Sequence, residues 1–138
     1  MITQTSLPWR LTRLGVGLIL FGIGVALFVI GDLGLAPWDI FHQGLAEQTW
    51  LTFGTAMILV GVVLLILLVA LREPLGIGTL ANVLVIGLVV DATIDIGGSP
   101  TNSIVRVLCT LLGPIVVALG SGFYIGARLG PGPRDGLM

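Results

Sequence analysis

Two short segments carry the residues most suited to holding a solute. Leu33-Gly34-Leu35-Ala36-Pro37-Trp38-Asp39 and Leu129-Gly130-Pro131-Gly132-Pro133-Arg134-Asp135 both read L-G-x-small-P-x-D. Proline suits the first helical position, where its missing N–H costs nothing, and an aspartate two residues later complements the positive end of a helix. Gly34, Gly130 and Gly132 let the chain turn sharply before that helix begins. One reading is structural, a helix restarting at a membrane surface, and the interfacial position of both motifs favours it. In the other, free N–H groups at these starts face a cavity and hold a polar or anionic solute, with Asp39 and Asp135 as gates or proton carriers. Gly34, Pro37, Asp39, Gly130, Pro133 and Asp135 are therefore candidate site residues.

Asp91 and Asp95 form a second candidate, because residues four apart share one helix face. If both lay in a low-dielectric region, their repulsion would keep one protonated, which suits cation or proton coupling. The plainer reading, which the sequence favours, ends the helix at Val90 and leaves both acids hydrated. Asn82 fits a bond between helices better than a solute contact. His42 has no second His and no Cys nearby, so a metal site of three or four ligands is rejected. Ser6, Ser99, Ser103 and Ser121 lack an acid–base partner at recognisable spacing, so no catalytic residues are assigned and an enzyme is not expected. Gly130-Pro131-Gly132-Pro133 lacks the Gly-Lys-Ser/Thr ending of a phosphate loop. No cofactor is expected.

The elements that position these residues follow from composition. Of 138 residues, 56% are hydrophobic and 9% charged, with a mean hydropathy of +1.14. Soluble domains carry about a quarter charged residues, so lipid is the solvent this chain suits, and the bilayer is its first partner. The net charge of −1 argues against nucleic acid. Cys109 stands alone within an apolar stretch and reads as a packing residue. The expected fold is all-α, a polytopic transmembrane helix bundle in one membrane domain over 1–138. Spans are expected at about 11–31, 51–71, 77–96 and 104–127, with Ile40–Trp50 lying on the interface or re-entering. The first apolar run is too long for a signal peptide core.

Orientation follows the arginines. Arg10, Arg13, Arg72, Arg128 and Arg134 fall on one side, and Asp32, Asp39, Glu47, Asp91 and Asp95 on the other, with Arg106 the only basic exception. The N-terminus is therefore expected in the cytoplasm of a bacterial cell, the protein crossing its plasma membrane several times.

The two motifs are offset by 96 residues, and the same offset holds upstream. Gly17, Gly24 and Gly31 map onto Gly113, Gly120 and Ala127, and Arg10 onto Arg106. These glycines form a stripe that should let another helix approach closely. Three crossings separate the two copies, an odd number, so the copies should be inverted. The expected architecture is an inverted-topology repeat of about three helices, the first copy over about 10–97 and a partial second over about 106–138. Either the chain is a piece of a longer protein, the favoured reading, or it completes itself as a homo-oligomer or with another membrane partner.

Gly34-Leu35-Ala36-Pro37-Trp38-Asp39 with His42-Gln43-Gly44-Leu45 resembles the YczE/YyaS-like family of bacterial membrane proteins. So do Phe53-Gly54-Thr55-Ala56, Gly76-Ile77-Gly78-Thr79, Leu119-Gly120-Ser121-Gly122 and Gly130-Pro131-Gly132-Pro133-Arg134-Asp135-Gly136-Leu137-Met138. The resemblance covers Leu11 to the end and implies a membrane fold, without an established reaction. Members of the family are longer, and some are linked to making or exporting peptide antibiotics. The expected function is transporter-like, binding or moving a small polar solute. The alternative is a non-enzymatic accessory or scaffold protein of an export or biosynthetic complex.

Overall fold

The computed structural model describes residues 6–137, so residues 1–5 and Met138, the last residue of the second motif, lie outside it. Five α-helices follow one another: α1 (Leu7–Gly31), α2 (Pro37–Glu47), α3 (Phe53–Ala70), α4 (Ile77–Gly97) and α5 (Ser103–Gly126). A 3-10 turn, Asp135–Leu137, closes the described chain. Among the described residues there is no β-strand. Helices α1, α3, α4 and α5 are each long and apolar enough to cross a membrane. Even α3, at 18 residues, is about 27 Å long at about 1.5 Å per residue, close to the hydrocarbon thickness.

Local chemistry sets the boundaries. A proline in the first turn of α1 moves its start to Leu7, ahead of the apolar run. That helix ends where Asp32 turns left-handed, at φ 50. The Thr52 hydroxyl caps α3 by accepting from the Thr55 N–H at 3.1 Å. Arg72 ends it at φ 60, just before Pro74. Helix α4 starts after Gly76 and runs to Gly97, so Asp91 and Asp95 are both helical. Asn102 Oδ1 accepts from the Ile104 N–H at 2.9 Å and starts α5.

Helix α1 lies at the centre, packed against α4 and α5; α4 packs on α3, and α3 on α2. The antiparallel α1–α5 contact is built on glycine. A Cβ at Gly17 would fall 2.5 Å from the Tyr124 nitrogen, and one at Gly120 2.5 Å from the Phe21 nitrogen. Gly24 and Gly113 oppose each other two turns on, and Gly31 meets Thr110 and the Arg106 carbonyl. Small residues admit this backbone approach, which replaces the hydrophobic drive that lipid does not supply. The buried core is correspondingly thin: Leu14, Leu18, Val25, Ile86, Val90 and Tyr124 among others. Large aliphatic residues point outwards instead, including Ile66, Leu88 and Leu111. Such a surface is stable against acyl chains and not against water. The protein is an integral membrane helix bundle.

Two ends of the bundle can now be defined. One holds the α1 C-terminus, the α3 N-terminus, the α4 C-terminus and the α5 N-terminus, since Arg106 bonds to Gly31 and Asp91 to Gly54. The other holds the opposite termini, since Arg10 bonds to Ala127 and Gly78 to Leu129.

Candidate functional site

Helix α2 carries two of its polar residues, Asp39 and His42, inward. Trp38, Ile40 and Phe41 are 41–58% exposed, whereas Asp39 is 3% and His42 1% exposed. Residues three apart share a face, so one turn of α2 presents both groups to the bundle. Asp39 Oδ1 and His42 Nδ1 stand 3.6 Å apart, too far for a hydrogen bond. Neither atom has any other hydrogen-bond partner, although both are enclosed. Orphaned polar atoms in an apolar interior are costly, so a pair of them calls for an explanation. Aromatic rings hold the imidazole in place, with Trp38 stacked at 6.4 Å and Phe53 edge-on at 6.2 Å.

A second segment enters from the opposite end. After α5, Arg128 turns at φ 54 and Gly130 at φ 124. Gly130 has to be glycine: its φ is positive, and a Cβ would also meet Thr79 Oγ1 at 2.7 Å. The chain then runs back along the start of α4. Gly78 N–H donates to the Leu129 carbonyl at 2.8 Å, and the Thr79 hydroxyl to the Pro131 carbonyl at 2.7 Å. Tyr124 donates its hydroxyl to Asp135 Oδ2. Pro133 is buried, and the Arg134 guanidinium carbon sits 5.7 Å from the centre of the Trp38 ring, within cation–π range.

The segments meet beside a cavity of about 20 Å³, room for about one water-sized group. Its wall combines Met57, Gly61 and Leu64 of α3, Asn82 and Gly87 of α4, His42, and Pro133 with Arg134. Gly61 falls at the middle of α3, so the cavity lies at mid-height in the bundle. A second cavity of about 130 Å³ shares Asn82 and Arg134 and adds Ser121, Tyr124 and Asp135. Arg134 is thus a cation between two polar spaces. The geometry suits binding of a small polar species. Among the described residues, no group of three His, Cys, Asp or Glu side chains is placed to hold a metal ion.

The 96-residue offset reappears in the bonding. Arg10 donates from Nε to the Ala127 carbonyl at 2.9 Å and from Nη2 to the Arg128 carbonyl at 2.6 Å. Arg106 donates from Nε to the Gly31 carbonyl at 3.1 Å and from Nη2 to the Asp32 carbonyl at 2.9 Å. Every partner in the first set maps onto one in the second. Asp32 and Arg128, both left-handed, are also a mapped pair, as are Trp38 and Arg134, which touch each other. Arg106 sits on the acidic side of the charge pattern because it closes the end of α1.

The candidate residues divide between structural and cavity positions. Asp39 stands behind His42, while Pro133 and Asp135 line the two cavities. Gly34 is exposed, in the wall of a shallower pocket with Asp32 and Gln43. Pro37 begins α2 without facing either polar cavity. Asp91 caps α3, accepting from Gly54 N–H at 2.7 Å and from the Thr52 hydroxyl at 2.5 Å. Asp95 is exposed. The pair is therefore split, one acid a cap and the other at the surface. His42, Asn82, Arg134 and Tyr124 are the residues that sequence reasoning passed over as site members. The three-residue spacing of Asp39 and His42 on one short helix was the available signal.

The comparisons fit this arrangement. The model of a family of unknown function, DUF6198, matches residues 8–138. The chain belongs to that family. An uncharacterized protein of Haemophilus influenzae is 37% identical over 121 residues, 88% of this chain and 56% of its own length. The uncharacterized membrane protein YczE of Bacillus subtilis is 34% identical over 137 residues, 98% of this chain and 64% of its own. The uncharacterized protein YyaS of the same organism is 29% identical over 128 residues, 89% and 63% respectively. The chain thus spans between 56% and 64% of the length of these relatives. No solved structure matches. The YczE/YyaS-like resemblance stands, and the bacterial relatives include a membrane protein.

Proposed function

We propose that this chain forms part of a solute-binding membrane protein of the inverted-repeat transporter type, embedded in the bacterial plasma membrane. One observation carries the reading. Two segments entering from opposite ends of the bundle meet at a polar cavity at mid-height, with Arg134 over Trp38. Transporters of this class place their sites near the midplane, at the pseudo-two-fold axis, and build them from discontinuous backbone. Residues equivalent under the repeat can touch only near that axis, and Trp38 and Arg134 do. The exchanged bonds of Arg10 and Arg106 support the same symmetry. The arginine distribution supports a cytoplasmic N-terminus. On this reading the protein performs no covalent chemistry. Asp39 and His42 carry the proton or solute, and Asp91 serves the scaffold.

An accessory role has one observation of its own. Helix α5 is the least covered of the spans, a face that a second copy or another membrane protein would bury. Uptake of small labelled acids, amines and neutral solutes into proteoliposomes containing the protein separates the two. Transport predicts uptake of at least one solute, reduced by at least about tenfold in Asp39→Asn. Folded protein that takes up none of them, and co-purifies with a stable membrane partner, would replace transport with the accessory role.

A further inference from the structure

The chemistry of the mid-height cavity narrows what it can take. Among the described residues on its wall, Arg134 carries the only formal charge, and the other polar side chains are His42 and Asn82. Both nearby carboxylates lie off that wall. Asp39 is behind the imidazole, 3.6 Å from Nδ1, and Asp135 faces the neighbouring cavity, where its Oδ2 accepts the Tyr124 hydroxyl. Arg134 lines both spaces, and no carboxylate lies on the wall that it shares with His42 and Asn82. Guanidinium has no acceptor, an amide contributes two donors, and imidazolium contributes N–H donors alone. A wall of this kind, in a low-dielectric setting, pairs with a negative charge.

We infer that the cavity binds a small monovalent anion, of carboxylate-head or halide size, between Arg134, Asn82 and His42, and that His42 takes up a proton as the anion enters. This inference rests on the solute-binding reading above. The volume of about 20 Å³ sets the size, since it admits about one water-sized group. The orphaned pair supplies the proton site. With its hydrogen on Nδ1, His42 can donate towards Asp39 Oδ1 after a small approach, which satisfies both atoms that now lack partners, and the proton taken up then goes to Nε2. The anion in turn offsets the repulsion between imidazolium and Arg134.

The charged surroundings of His42 are few. Its own helix supplies Asp39, and the segment after α5 supplies Arg134, with Asp135 beyond it. From α3 it meets Phe53, and it shares the cavity wall with Met57 of α3 and the neutral Asn82 of α4. Asp91 is engaged at the α3 cap. Proton and anion therefore bind together, and affinity rises as pH falls.

Trp38 provides the readout, because its ring lies against Arg134. With Trp9 and Trp50 replaced by Phe, the remaining tryptophan reports on the cavity. Formate and chloride are titrated separately into protein in nanodiscs, at ionic strength held by gluconate, which is too bulky to enter. Sodium and methylammonium serve as cation arms. The inference expects a saturable fluorescence change with formate or chloride, and the arm that saturates at lower concentration identifies the anion. It expects binding to strengthen as pH falls, by up to about tenfold per unit of pH. Arg134→Gln should weaken binding by at least about tenfold, Asn82→Asp should abolish it, and His42→Gln should remove the pH dependence. Each variant is first checked for a wild-type gel-filtration profile, with Arg134→Lys as the milder replacement should Arg134→Gln fail to fold. A saturable response to methylammonium or sodium instead, or an anion response unchanged in both Arg134 variants, would overturn the inference. Solute uptake without anion binding would overturn it while sparing the transport reading; anion binding without uptake would do the reverse.

Discussion

Asp91 and Asp95 sit four residues apart on one helix and have different occupations. The first accepts the Gly54 N–H and the Thr52 hydroxyl, which satisfies donors that the start of α3 would otherwise leave open. The second faces outwards. Sequence spacing identifies the shared face but cannot identify which helix terminus lies opposite, because that depends on how α3 and α4 pack. Replacing Asp91 with Ala should lower stability by about 1–2 kcal/mol, the usual cost of losing a helix cap. Asp95→Ala should stay within about 0.5 kcal/mol of the wild type. Denaturation by SDS of the purified protein measures both, and equal losses would contradict the capping role. His42 was passed over for a related reason. Its lack of metal-ligand company was visible in the sequence, whereas its enclosure beside Asp39 required the docking of α2 against α3.

At the scale of elements, the spans were readable from hydropathy alone, because a helix that faces lipid must be apolar along about 20 residues. A close helix approach at α1 was readable from its glycines, whose seven-residue spacing returns to the same helix face, whereas the identity of α5 as the partner was not. What hydropathy could not supply was the course of the two short segments. Helix α2 carries apolar residues outwards and two polar ones, Asp39 and His42, inwards, so its composition alone reads as interfacial. Arg10 and Arg106 tie the two ends of the α1–α5 pair through equivalent bonds to helix-terminal carbonyls. Both side chains are half-buried. Arg10→Gln and Arg106→Gln should therefore each cost about 1 kcal/mol, after allowance for solvent screening. The costs should add in the double variant, since the sites lie a helix length apart. Unfolding midpoints of the two single variants and the double variant test this. A large loss from one arginine and none from the other would break the equivalence.

The molecule as a whole is a thin, glycine-packed helix bundle with a polar cavity at mid-height that segments from both ends reach. An arginine, a histidine and an asparagine line the mid-height cavity. Intramembrane polar groups of this kind mark functional paths. The claim depends on the two ends of the bundle facing opposite sides of the membrane, with the α2 segment entering from one and the 129–137 segment from the other. Side-specific cysteine labelling tests it most directly. In a background with Cys109 replaced by Ala, single cysteines are placed at Glu47, beyond α2, and at Arg72, after α3. An impermeant thiol reagent applied to intact cells should label the Glu47 position and leave Arg72 unlabelled until the membrane is opened. Labelling of both positions from the same side would contradict the account.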